Sequence, residues 1–116
     1  MEALEQLKAV YEDKKATINE RDYEFKTMTH KQRRSIFAYY TKVAKLIESG
    51  DFSFLDTQEF NKIESLMFTY ITYNGIQLSK QETHFDNEEF EADYVILVAT
   101  ALGVISYPFL RGKSGF

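Results

Sequence analysis

Apolar and polar residues recur with a helical period over most of the chain. Leucine, valine and aromatic residues return at spacings of three and four between charged positions, which is typical of amphipathic helices. Helices are therefore predicted over residues 2–15, 30–49, 57–73 and 87–106. Thr29, Asp56 and Asp86 each stand where a helix N-cap is expected, and Gly50 and Gly75 stand where a helix is expected to end.

A second pattern separates the first two predicted helices. Between Ala16 and Met28, apolar and polar residues alternate around the polar stretch 19–22, which indicates a small hairpin. An apolar connector is expected at 51–55, and 76–78 is expected to be a short extended piece or a turn. The fold class predicted from these patterns is mainly α, a compact bundle of three to four helices with room for a small N-terminal β-hairpin.

The last predicted helix is apolar on every side in its second half. This pattern places it at the centre of the fold or in a subunit interface. Its apolar stretch, from Tyr94 to Ile105, is shorter than the roughly 20 residues that a membrane span needs, so we predict a core helix. Pro108 is expected to end the helix, because proline lacks an amide hydrogen and disfavours helical geometry at Tyr107. Residues 111–116 are then predicted to form a flexible tail.

Length and charge restrict the class of protein. The 116 residues suit a single domain, 1–116, and 14 basic minus 18 acidic residues give a net charge of −4, which offers no general attraction to nucleic acid or anionic lipid. The chain has no cysteine, which excludes disulfides, a thiol nucleophile and a cysteine-ligated metal. The acidic N-terminus lacks the basic segment of a signal peptide, so a cytoplasmic protein is expected.

Few residues are suited to catalysis. The only two histidines, His30 and His84, lie outside any catalytic motif. His84 with Asp86 and Glu88 is a weak candidate for a metal site, since an acidic helix start has the same composition. The acidic cluster at 82–93 is interpreted as that helix start, with an acidic docking surface as the functional alternative. We predict no catalytic residue, no cofactor and no metal, and a protein that is not an enzyme.

Two surface features indicate binding instead. Four basic residues share one face of the predicted helix 30–49, namely Lys31, Arg34, Lys42 and Lys45. A solvated face, a protein-docking face and a phosphate-binding face all fit this stripe, and the net negative charge disfavours the last. The ten phenylalanines and eight tyrosines are more than a small core easily covers, and Phe52, Phe54, Phe109 and Phe116 are candidates for an exposed apolar patch.

The residues as ordered resemble the tail assembly chaperones of long-tailed bacteriophages from about residue 22 onward. The likeness rests on the run Asp22 to Arg34, the helical sequence Phe37 to Tyr40, the connector Glu48 to Phe52 and the closing run Leu102 to Leu110. Members of that family commonly end near a slippery site of the GGGAAA type, which reads Gly-Lys in frame. The pair Gly112-Lys113 stands where that site is expected, and the family likeness then implies a longer frameshifted product.

The resemblance implies a non-enzymatic chaperone in the host cytoplasm. Such proteins coat the tape measure protein, keep it soluble and recruit tail tube subunits. On this interpretation the basic residues named above dock the partner, and Phe52, Phe54, Phe109 and Leu110 make apolar contacts. Self-association is left open, and no membrane partner is expected. The alternative is a small nucleic-acid-binding regulator that uses helix 30–49, which predicts salt-sensitive retention on DNA.

Overall fold

The computed structural model describes the backbone of residues 2–113 and the side chains of residues 5–111. Its helices are α1 (Glu2–Asp13), α2 (His30–Ser49), α3 (Gln58–Thr69), α4 (Glu88–Glu91) and α5 (Tyr94–Lys113). Its strands are β1 (Lys15–Ile18), β2 (Arg21–Phe25), β3 (Ile71–Tyr73) and β4 (Ile76–Gln77). Short 3-10 turns occupy Ser53–Asp56, Leu78–Lys80 and His84–Asp86.

The predicted N-terminal hairpin is confirmed. β1 and β2 pair antiparallel, with Ala16 opposite Tyr23, and the turn residues Asn19 and Glu20 have φ values of 50° and 68°. Two successive positive φ values are typical of the tight hairpin turn whose twist matches that of the strands. Alternate residues of both strands are buried, as the alternating sequence requires.

The predicted fold class, a mainly α bundle of three to four helices with a possible small N-terminal hairpin, is wrong. The fold is mainly helical, but it combines its helices with a four-stranded antiparallel sheet in the order β1-β2-β3-β4. The helix predicted over 57–73 ends at Thr69, and its last residues form β3, where Ile71 pairs with Phe25 and Tyr73 with Tyr23. Asn74 and Gly75, both at positive φ, turn the chain into β4. Ile71 continues the helical spacing of α3, so the local pattern could not reveal that β2 offers it a strand partner.

The start of α5 also differs from the prediction. Asn87, rather than Asp86, is the N-cap of the four-residue α4, and α5 begins only at Tyr94. In the same way Thr57, rather than Asp56, accepts the hydrogen bond from Phe60 N–H that caps α3. The cap at Thr29 and the end at Gly50 are confirmed.

The expected end of the last helix at Pro108 is wrong, since α5 continues through Pro108 to Lys113. Proline cannot donate a helical hydrogen bond, but the residues on both sides of it pack against other helices. Tyr107 is buried with its ring 5.1 Å from that of Tyr11, and the Phe109 ring stacks on Phe37 at 4.7 Å. Residues 111–113 of the predicted tail thus belong to α5, and its remaining residues lie outside those described.

α5 is the core helix, as predicted. Leu97, Val98, Ala101 and Leu102 are completely buried, and α5 packs against α1, α2 and β1. By length and composition alone, Tyr94–Arg111 is apolar enough to cross a membrane, but half of this segment is buried inside the fold.

Candidate protein-docking surface

The predicted basic residues lie on one accessible face of α2. Lys31, Arg34, Lys42 and Lys45 are all exposed, and at 100° per residue they fall within about 80° of one another around the helix axis. Lys42 donates a hydrogen bond of 2.8 Å to Glu59 on α3, so part of its charge is compensated. We call these four residues the basic stripe.

A half-buried aromatic pair borders one side of the basic stripe. Phe37 lies about 60° around the helix from Arg34, and the ring of Phe109 stacks on it with an interplanar angle of 14°. The His30 ring is 5.9 Å from Phe109. The predicted contact residue Phe109 therefore lies beside the predicted docking residues, and half-buried Leu110 follows it in the last turns of α5.

The other predicted aromatic residues lie on the opposite side of the stripe. Phe54 is buried against Tyr39 and Phe60, with ring centroids 6.3 and 5.5 Å away. Half-buried Phe52 contacts Phe54 at 6.0 Å. Tyr39 is about 60° around the helix from Lys42, away from Phe37. The structure thus does not bring Phe52 and Phe54 together with Phe109, and the burial of Phe54 removes it from the accessible surface.

The aromatic residues are covered more fully than their number suggested. Within the part of the chain whose side chains are described, every phenylalanine and tyrosine is buried or half-buried. The large apolar side chains exposed there are aliphatic, Ile76, Val95 and Ile96. Phe116 lies outside the described residues. Among the described residues, therefore, no aromatic side chain is fully exposed.

A buried polar network joins the hairpin to the start of α5. The carboxylate of Asp93 is completely buried and accepts hydrogen bonds from Arg21 Nε at 2.6 Å, the Tyr23 hydroxyl at 2.6 Å and Asn19 Nδ2 at 2.7 Å. Arg21 also donates to the carbonyl of Glu89. The sequence placed Asp93 in a solvated acidic cluster and so missed this network.

Burial and hydrogen bonding in this network shift the pKa values of Asp93 and Tyr23. Burial alone would raise the pKa of Asp93, but hydrogen bonds from Arg21, Tyr23 and Asn19 outweigh it and hold the pKa below its ordinary value. Burial and the bond to Asp93 raise the pKa of Tyr23 well above its ordinary value. Because the Tyr23 hydroxyl donates to Asp93, its oxygen accepts from Nε2 of His84, 3.0 Å away.

His84 belongs to this network through its contact with Tyr23. Its ring is buried and stacks on Phe90 at 4.5 Å with an interplanar angle of 3°. Burial lowers the pKa of His84. No group of three or more potential metal-ligating side chains occurs among the residues described, and the candidate partners of His84, Asp86 and Glu88, are exposed.

Comparison of the chain with protein-family models, curated proteins and solved structures finds no match.

Proposed function

We propose that this protein is a non-enzymatic tail assembly chaperone of a long-tailed bacteriophage. In this role it binds the tape measure protein in the host cytoplasm, keeps it soluble and recruits tail tube subunits. The proposal starts from the sequence resemblance over residues 22–110. The structural observation that supports it is the exposed basic stripe on α2, bordered by the half-buried pair Phe37 and Phe109.

A stripe of this kind suits the binding of an amphipathic helix. Lysine and arginine side chains attract acidic residues on the partner, and adjacent ring edges cover part of its apolar face. The chain as a whole carries a charge of −4, so a complex in which the basic stripe is neutralised remains strongly anionic. That residual charge opposes aggregation of the coated tape measure protein.

Charge reversal on the stripe tests the proposal. Lys31→Glu, Arg34→Glu and Lys45→Glu are combined, and Lys42 is left intact because its ion pair with Glu59 links α2 to α3. The chain is co-expressed with the tape measure protein of the same phage. We expect the variant to recover at least tenfold less tape measure protein on affinity purification and to leave more of it insoluble.

A matched variant controls for net charge. Lys8→Glu, Lys62→Glu and Lys80→Glu change the charge by the same amount at exposed positions outside α2. This control is expected to bind the tape measure protein as the unmodified chain does. Equal recovery with the stripe variant and the control would reject the stripe as the docking face, and no recovery with the unmodified chain would reject the chaperone function.

A further inference from the structure

A cleft of about 400 Å³ opens between α1, the segment that joins β2 to α2, and α5. Its apolar wall consists of Phe25 and Met28 on one side and Val104 and Ile105 of α5 on the other. This volume lies within the range of sites that enclose a small ligand or a single large side chain. We call it the basic cleft, for the charges described next.

Three cationic side chains and one carboxylate line the basic cleft. Lys14, Lys26 and Arg33 contribute three positive charges and Glu12 one negative charge, a local sum of +2 in a chain whose net charge is −4. Lys14 reaches across from the end of α1, with its ammonium 3.4 Å from the hydroxyl of Thr27. The cleft thus joins an apolar wall to a positively charged rim.

Only part of the hydrogen-bonding capacity of the Arg33 guanidinium is satisfied within the described protein. One terminal nitrogen, Nη1, donates to the carbonyl of Met28 at 2.5 Å, whereas Nε is buried and has no hydrogen-bond partner among the residues described. Buried N–H groups are rarely left unpaired. Arginine pairs well with carboxylates through two adjacent N–H groups, and Arg33 lines the cleft with one such N–H unpaired in the described part of the chain.

We propose that the basic cleft binds an apolar side chain together with a neighbouring carboxylate on a helical segment of a partner protein. The apolar wall accepts the side chain, and Arg33, Lys14 and Lys26 accept the carboxylate. The inference rests on the proposed function in taking the partner to be a protein. The basic cleft would give the partner a second contact, separate from the basic stripe, because Arg33 lies about 100° around α2 from Arg34 of the stripe.

The cleft is tested first with small probes on the full chain labelled with ¹⁵N. Titration with 3-phenylpropionate is expected to shift amide signals around the cleft, including those of Thr27, Arg33 and Ile105. 3-Phenylpropionamide has the same ring without the charge, and we expect it to bind at least tenfold more weakly. Shifts spread over the whole surface, or equal affinity for the two probes, would overturn the proposal.

Two variants separate the cleft from the basic stripe. Arg33→Gln should weaken 3-phenylpropionate at least fivefold, whereas Arg34→Gln, at the adjacent exposed position, should leave its affinity unchanged. If the spectrum of Arg33→Gln shows a loss of fold, Lys14→Gln with Lys26→Gln replaces it, and the same weakening is expected. Unchanged affinity in a folded cleft variant would overturn the proposal.

A capped peptide tests the class of ligand. A helical peptide with one phenylalanine flanked by glutamates should bind the cleft more tightly than the same peptide with glutamines, and Arg33→Gln should abolish the difference. Binding of 3-phenylpropionate without binding of the glutamate peptide would indicate a small-molecule site and overturn the protein-ligand proposal. These outcomes do not depend on recovery of the tape measure protein, so failure here is distinct from failure of the chaperone function.

Discussion

At the scale of single residues, Asp93 is a buried carboxylate that accepts hydrogen bonds from three side chains. Its carboxylate is completely out of solvent, and the donors Asn19, Arg21 and Tyr23 all come from the first hairpin. A carboxylate in such a place is tolerated only when its charge and its lone pairs are matched. The network therefore fixes the position of the hairpin relative to the start of α5.

Neutralising Asp93 is expected to be costly. Asp93→Asn keeps the size of the side chain but leaves the guanidinium of Arg21, only 14% exposed, without its buried counter-charge. We expect the free energy of unfolding to fall by about 2–4 kcal/mol, since breaking one side of a buried ion pair leaves the other uncompensated. Urea denaturation followed by circular dichroism measures this difference.

Glu89→Gln provides the matched control. Glu89 pairs with the same arginine but is 71% exposed, so its removal should change the free energy of unfolding by no more than about 0.5 kcal/mol. Equal effects of the two substitutions would show that burial of the carboxylate is not what makes Asp93 important.

The protonation of His84 predicts a pH dependence of stability. Burial lowers its pKa in the folded state from the ordinary value of 6.5, so below about pH 6.5 the unfolded chain binds more protons than the folded one. Stability should therefore fall as the pH falls from 6.5. The pKa of Asp93 is also lowered from its ordinary value of 3.8, so a second loss should begin as the pH falls towards 3.8.

His84→Phe isolates the first of these losses. Phenylalanine can retain the stack on Phe90, and the Tyr23 hydroxyl still donates to Asp93. Melting temperatures measured from pH 7 to 5 should decline less steeply in this variant than in the unmodified chain. Identical slopes would show that His84 does not cause the decline.

The sequence could not reveal the Asp93 network, and the reason is physical. Asp93 lies among acidic residues that suit a solvated helix start, while Arg21 and Tyr23 are some 70 residues earlier in the chain. Pairing over such a separation leaves no local periodicity. The available signal was that Asp93 directly precedes the apolar stretch from Tyr94 to Ile105, which was predicted to lie in the core.

At the scale of elements, the hairpin and the helix ends that were predicted correctly depend on local interactions, although two local caps, Asp56 and Asp86, were each placed one residue early. The hairpin β1–β2 and the caps at Thr29 and Gly50 depend on residues a few positions apart. β3 depends on β2, nearly 50 residues earlier, and was assigned to a helix. Similarly, the residues beside Pro108 in α5 pack on Phe37 and Tyr11, contacts that no pattern around residue 108 reveals.

The contact between α1 and α5 gives a prediction at this scale. A Cβ atom at Gly103 would lie 2.8 Å from Cδ2 of Leu7, so Gly103→Ala forces the leucine side chain to move. We expect this substitution to leave stability unchanged or to lower it by about 1 kcal/mol, because the contact offsets the better helix propensity of alanine. In a Leu7→Ala background the same substitution should instead stabilise the protein by up to about 1 kcal/mol.

A double-mutant cycle of unfolding free energies measures this coupling. The two single variants and the double variant are compared with the unmodified chain under identical conditions. If the effect of Gly103→Ala is the same in both backgrounds, the Leu7 side chain does not restrict the space at position 103.

At the scale of the whole molecule, charge is distributed unevenly. The chain is acidic overall, yet α2 carries the basic stripe, and the basic cleft lies around the helix from it. The stripe was predictable because its residues share one helix. The cleft was not, since its cationic residues come from three separate places in the chain. Lys14 follows α1, Lys26 follows β2 and Arg33 lies in α2, and they converge only in the folded chain.

The central position of α5 has a consequence for biosynthesis. Helix α5 follows in sequence the elements that it packs against, which include α1, α2 and β1. During translation those elements leave the ribosome before the surface that covers them exists, so their apolar faces stay in water until the final helix is made. A nascent chain of this protein therefore exposes apolar surface until α5 has formed. Mutations that delay the formation of α5 should lower the soluble yield even where they change the free energy of unfolding of the folded protein very little.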